Sequence, residues 1–159
     1  MPNALMPEHK KYADGENRAD WHIKKGIEVF KRFFGRVPQG AWPSEGAISD
    51  KTLELFEKNG FDWVATGDSV LHNSLSHTDN VDIKYAIDEH RQSIHRAYTF
   101  GNTHINCFFR DDGLSDVVGF QYSTWHSDDA VGDLIHQIER AADHAKDTDN
   151  NVILSLIHI

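Results

Sequence analysis

The feature that most constrains this chain is the order in which its apolar patterns change period. A helical stripe gives way to a short β-rich run, and the same pair then recurs. Ile23, Ile27, Phe30 and Phe34 follow one another at i, i+4, i+7 and i+11, which lays an apolar stripe on a helix from about Asp20 to Phe34. Lys31 and Arg32 lie in its last turn and Gly35 ends it. Val37 to Trp42 follows as a short strand in which Pro38 is a poor ladder residue. Ser49 caps a second helix, Asp50 to Asn59, whose Leu53 and Phe56 face inward and which Gly60 closes. Phe61 to Thr66 is aromatic and β-branched and reads as a second strand, ended by Gly67.

Further on, the pattern loosens and then returns. His72 to Gln92 has no sustained period and reads as an excursion between elements. Tyr98 to Phe100, the Gly101-Asn102 pair and Thr103 to Phe109 resemble a hairpin in which Ile105, Cys107 and Phe109 alternate. Val131, Leu134, Ile135, Ile138, Ala142 and Ala145 mark a long helix from about Asp128 to Lys146. A polar loop then leads to the apolar run Val152 to Ile159. Strands alternating with helices of this length predict an α/β fold with parallel strands. A complete eight-fold β/α barrel needs about 250 residues, so at 159 residues the chain would hold only part of such a barrel.

Composition narrows the partners. Twenty-five acidic against sixteen basic residues give a net charge of −9, which disfavours a grip on phosphate backbones, so nucleic acid is not expected. No window approaches 18 consecutive apolar residues and the first twenty are polar, so neither a membrane partner nor a signal peptide is expected in this stretch. The compartment is left open. Cys107 is the one cysteine and cannot close an internal disulfide; in its strand pattern it reads as a small core thiol.

In parallel folds the working groups gather beyond the carboxyl ends of strands. Four stretches have that address: Pro43 to Glu45, Gly67-Asp68, Arg110 to Asp112, and whatever follows Leu154. Glu45 sits three residues after Trp42, between Gly40 and Gly46. An indole face stacks on the apolar side of a pyranose, and a nearby carboxylate can reach the anomeric carbon. The same spacing also suits a loop glutamate beside a core tryptophan. Arg110-Asp111-Asp112, with Asp116 four residues on, could hold ionised carboxylates for sugar hydroxyls, or could be a helix start capped by Asp112 or Ser115. The eleven histidines lack metal-ligand spacing: the pairs His72/His77 and His90/His95 are five apart and off-phase on a helix. No EF-hand loop and no Gly-x-Ser-x-Gly elbow occurs.

Three blocks, taken in order, resemble glycoside hydrolase family 57, in particular its amylopullulanase-like and α-amylase-like members. They are Phe34-Gly35-Arg36-Val37-Pro38-Gln39-Gly40-Ala41-Trp42-Pro43-Ser44-Glu45-Gly46-Ala47-Ile48-Ser49, then Gly60-Phe61-Asp62-Trp63-Val64-Ala65-Thr66, and Phe109-Arg110-Asp111-Asp112-Gly113-Leu114-Ser115-Asp116-Val117-Val118-Gly119-Phe120. The resemblance runs from about Tyr12 to Leu154. It implies part of an incomplete β/α barrel of seven parallel strands, acting on α-glucan oligo- or polysaccharide by a retaining mechanism that needs no metal or organic cofactor. Glu45 matches the catalytic nucleophile, Trp42 would line the glucan subsite, and Arg110, Asp111 and Asp116 would bind or orient substrate.

Three departures accompany it. The early His-Gln-Pro block has no counterpart, so the first part of the barrel would be missing. Ala65-Thr66-Gly67-Asp68 stands where many members read Ala-Thr-Asp-Glu. Where the family pattern reads Val-Ile-Leu-Asp-Gly-Glu-Asn, the Asp being the acid/base, this chain has Val152-Ile153-Leu154-Ser155. On this reading residues 1–154 form a partial catalytic barrel and residues 155–159 a tail that is not native to it. The chain is then a fragment carrying the nucleophile without the acid/base. The competing readings are a non-catalytic glucan-binding protein and a metal-dependent polysaccharide deacetylase on a related barrel, for which a histidine ligand pair is the missing feature.

Overall fold

The computed structural model describes residues 13–76, 94–100, 102–144 and 151–155. Helix α1 (Gly15–Phe34) begins five residues ahead of the stripe's apparent start and stops at Gly35, whose φ of 68° suits glycine. Ile23 and Ile27 pack on the core, while Phe30 turns toward Phe34, centroid to centroid 4.5 Å, and Phe34 stays exposed. Asp20 on this helix pairs with Lys24 at 2.6 Å and accepts from the Asn59 amide at 2.8 Å, tying α1 to the end of the next helix. The Lys24 hydrogen bond, ahead of that from Asn59, holds the Asp20 carboxyl down at about 2.

Strand β1 (Gly40–Ala41) is two residues long, where the sequence predicts Val37 to Trp42. The shortening has a local cause: Pro38 has no N–H for the ladder, and Val37 is exposed. Helix α2 (Asp50–Lys58) opens as predicted, with Ser49 Oγ accepting from Thr52 N at 3.3 Å, and buries Leu53 and Leu55 while half-buried Phe56 meets Phe61 edge to face. Strand β2 (Trp63–Gly67) runs directly into α3 (Asp68–Ser76). The opening of the expected excursion is therefore helical as far as Ser76, and residues 77–93 lie outside the described residues.

Strand β3 (Asn106–Arg110) completes a sheet ordered β1-β2-β3 in which both pairings are parallel, with Ala41 opposite Val64 and Gly67 opposite Arg110. Leu154 forms a further parallel bridge to Arg110, its carbonyl accepting from Asp111 N at 2.9 Å. The expected hairpin survives as one antiparallel bridge, Tyr98 to Cys107. A two-residue turn at Gly101-Asn102 would set Tyr98 opposite Ile105, so the observed pairing is two residues wider; Gly101 itself lies outside the described residues. Beyond β3 come α4 (Asp112–Asp116), a π-helical turn (Val117–Gln121), a 3-10 turn (Tyr122–Thr124) and α5 (Ser127–His144). The apolar stripe of α5 lies largely open, with Val131, Ile135 and Ile138 all exposed. No helix among the described residues is long and apolar enough to cross a membrane.

Strand alternation divides the sheet's two faces. Val64, Thr66, Cys107 and Phe109 share the face covered by α1, α2 and α3, where they meet Leu53, Phe61, Leu71 and Ile105 in one core. Burial there pushes the Cys107 thiol up to about 11, as befits a packing residue. Trp63, Ala65, Phe108 and Arg110 share the other face, where Trp63 stands 40% exposed.

Candidate functional site

Parallel pairing brings the segments after all three strands to one end of the sheet. Glu45, Thr66 and Arg110 thus lie at the carboxyl ends of neighbouring parallel strands, as the alternating pattern requires of a working face.

Glu45 occupies a 3-10 turn, Ser44–Gly46, with φ 54° and ψ 22°. A left-handed glutamate is costly, on the order of 1–3 kcal/mol, and persists only where its surroundings impose it. The surroundings here are identifiable. Pro43 and Gly46 on either side are buried, while Glu45 itself is exposed. Thr66, wholly buried in β2, donates its hydroxyl to the Gly46 carbonyl. Gly46 also has positive φ, and a Cβ there would stand 3.3 Å from Thr66 Oγ1 and 3.4 Å from Trp42 Cζ2. The turn is clamped between the end of β2 and the Trp42 indole, and the carboxylate is held outward.

Trp42 is half-buried, and the Arg110 guanidinium lies over its ring, 5.5 Å from the centroid. Such a stack holds the indole in place and keeps the cation close to it. Arg110 also directs Nε and Nη2 to Oδ1 of Asp112, the Nε contact at 2.6 Å. Trp42 and Arg110, two of the residues expected to meet substrate, are therefore in contact with each other.

Asp111 and Asp116 are placed differently. Asp111 is the cap of α4: its Oδ1 accepts from Leu114 N at 2.8 Å, and its carbonyl accepts from Ser115 Oγ at 2.7 Å. The cap is therefore neither Asp112 nor Ser115, the two residues the sequence suggested for it. Asp116 is exposed at the far end of the same short helix. Ser155 follows directly on Leu154, so it shares the end of the sheet occupied by Arg110, with its Oγ 3.4 Å from that of Ser115.

The sequence reading passed over one pair, Asp68 and Asp112. Burial pushes the Asp68 carboxyl up from the ordinary 3.8 to about 7, and a hydrogen bond to the Asp112 side chain and the Asp112 charge push in the same direction. Below about 7 Asp68 therefore keeps its proton and can donate it to the Asp112 side chain. A Cβ on Gly67 would lie 3.2 Å from Asp112 Oδ2, so the small residue there leaves room for the pair. The register contained the signal: Gly67 sits opposite Arg110, which sets the residues that follow each strand beside one another.

A family model described as glycosyl hydrolase family 57 matches residues 4–157, nearly the whole chain. No curated protein matches it.

Proposed function

The chain belongs to glycosyl hydrolase family 57, and from that premise we propose that it is the portion of a retaining α-glucan hydrolase that carries the nucleophile. The observation that carries this reading is the posture of Glu45, a solvent-facing carboxylate on a strained turn at the carboxyl end of a parallel strand, beside Trp42. In the proposed reaction the Glu45 carboxylate attacks the anomeric carbon of a glucosyl unit as the glycosidic bond breaks. The leaving oxygen takes a proton from a carboxylic acid, and water then releases the sugar from the glycosyl ester. Trp42 stacks on the sugar ring. Arg110, Asp111 and Asp116 bind or orient its hydroxyls. The mechanism calls for no metal or cofactor.

A retaining pair stands roughly 5 to 5.5 Å apart, and Ser155 occupies the position that the family pattern gives to the proton donor. A serine hydroxyl does not protonate a leaving group at neutral pH. We therefore read residues 1–154 as part of the catalytic barrel, with turnover requiring both the first strands of the barrel and an aspartate in place of Ser155. The same serine favours a second reading, in which the chain binds glucan without cleaving it.

Glu45→Gln in the parent enzyme is expected to abolish nearly all turnover while glucan binding persists, and azide should restore turnover to Glu45→Ala. Near wild-type turnover in Glu45→Gln would remove Glu45 from the chemistry. The 159-residue chain incubated with maltooligosaccharides or pullulan should release no sugar. Glu45-dependent release would place the proton donor elsewhere, while retention of glucan without release, in a parent restored at both ends, would favour the binding reading.

A further inference from the structure

The Arg110 guanidinium that lies over Trp42 is held from its other side by a run of polar contacts ending on Asp68. A ring face attracts a cation over its whole area, so the contact with Trp42 fixes how near Arg110 stays but not where its N–H groups point. Their direction comes from Asp112, whose Oδ1 accepts from both Nε and Nη2. The Arg110 side chain still reaches solvent, at 19% exposure, and a guanidinium has five N–H donors, so donors remain for a ligand's hydroxyls.

A carboxylate aims a cation only when it is itself held. Asp112 opens α4, and the backbone N–H groups of a helix's first turn have no partner within the helix. Asp68, the first residue of α3, hydrogen-bonds both the Asp112 backbone and the Asp112 side chain. Two bonds to one residue, one on its backbone and one on its carboxylate, fix the position and the rotation of that carboxylate together. The pairing of Gly67 with Arg110 sets the two helix starts side by side. The bare backbone of Gly67 keeps the space between them, since a Cβ there would stand 3.2 and 3.5 Å from the two Asp112 oxygens.

Donating to a carboxylate requires that Asp68 carry a proton. Burial, and then Asp112, push its carboxyl up to about 7, so it carries one in mildly acidic solution. The charged groups facing it are Asp112 and Asp111 from α4 and, through Asp112, Arg110 from β3. Strand β2 adds no titratable side chain. On α3 itself His72 is exposed one turn on, and Asp50 of α2 faces Val70 and Ser74 further along the helix.

We propose that Asp68 is a positioning residue for the sugar site: by holding the backbone and side chain of Asp112 together, it aims the Arg110 guanidinium beside the Trp42 ring, where it binds hydroxyls of an α-glucan. The inference rests on the reading of Trp42 and Arg110 as substrate contacts and gives Asp68 no part in bond cleavage.

NMR of the 159-residue chain tests the contacts without any turnover. The Arg110 Hδ signals, moved upfield by the Trp42 ring, should hold their shift in mildly acidic solution. They should lose half or more of it as Asp68 ionises through about 7, with one midpoint for both titrations. Asp68→Asn keeps a donor for the Asp112 side chain and an acceptor for its N–H, and should hold the shift through that range and above it. Asp68→Ala should lose it at every pH. In the parent enzyme Asp68→Ala should raise KM for maltoheptaose roughly tenfold, as expected for one misdirected charged donor, with kcat little changed, and Asp68→Asn should restore KM. A merely structural Asp68 would lower Tm in Asp68→Ala while leaving KM and the pH course of the Arg110 signals as they were. The proposal is overturned if the wild-type Arg110 signals do not follow Asp68, a result that needs no variant to fold. It is equally overturned if Asp68→Asn behaves as Asp68→Ala, or if KM in Asp68→Ala stays at the wild-type value. Near wild-type turnover in Glu45→Gln would remove the nucleophile reading and leave the Arg110 signals unaffected.

Discussion

The two faces of the three-stranded sheet are made from alternate residues of the same strands and end in opposite conditions. On one face Val64, Thr66, Cys107 and Phe109 are essentially removed from solvent by three helices. On the other, Ala65 is buried, but Trp63 lies across Gly40 with Phe108 beside it and stays 40% exposed, and Asn106 is exposed. Helix cover, more than strand composition, decides the outcome, because both faces are rich in residues that favour strands. The covered face closes its own core within this chain. The open face carries its aromatic residues to the surface, and Arg110, the last residue on that face, turns up into the site.

Truncation should separate the faces most sharply. Phe109→Ala removes a ring from the closed core and should cost about 3–5 kcal/mol, whereas Phe108→Ala, half-buried one residue earlier, should cost roughly 1–2 kcal/mol. Urea denaturation of the two variants measures both, and equal losses would mean that the open face is packed as tightly as the closed one.

A smaller effect is expected where the two faces meet the working end. Gly46→Ala must place a side chain at a φ of 67° against Thr66 and Trp42, which should cost about 1–3 kcal/mol. Gly60→Ala, at φ 82° with open space around it, faces only the backbone penalty of about 1 kcal/mol. If thermal unfolding shows the same loss for both, the clamp on the Glu45 turn contributes nothing beyond local strain.

A further effect concerns pH. Folded Asp68 keeps its proton up to about 7, while the unfolded chain releases it near 3.8. Between those values the folded state binds more protons, so stability falls as pH rises from about 4 to about 7. Asp68→Asn should flatten that part of the stability profile and leave the acid limb unchanged. A profile that keeps its slope in the variant would transfer the effect to another group and dissolve the Asp68/Asp112 pair.

The parts of this fold legible in the sequence are those with local chemical causes. Ser49 and Gly60 bracket α2 because a hydroxyl and a missing Cβ act on their own helix ends. Helix α3 was not legible, since Leu71 is the only residue of its described side chains taken fully into the core and a single contact has no period. The site shows the same division. Glu45, Trp42 and Arg110 were placed at one end of the sheet by counting strands, and two of them touch. The carboxyl pair went unseen because Asp68 and Asp112 meet only through the register of β2 with β3, which no local pattern encodes. Likewise the two-residue length of β1 follows from Pro38, but the left-handed backbone of Glu45 follows from Thr66, twenty residues beyond Gly46.

That last dependence limits how portable the proposed nucleophile is. The segment from Trp42 to Ser49 could be grafted onto another scaffold with every residue intact and still lose the posture of its carboxylate, because the hydroxyl that fixes the turn belongs to a different strand. Glu45 supplies the charge, but its bearing is inherited from the docking of β2 against β1. A substitution at buried Thr66 would therefore reach the Glu45 turn without touching it.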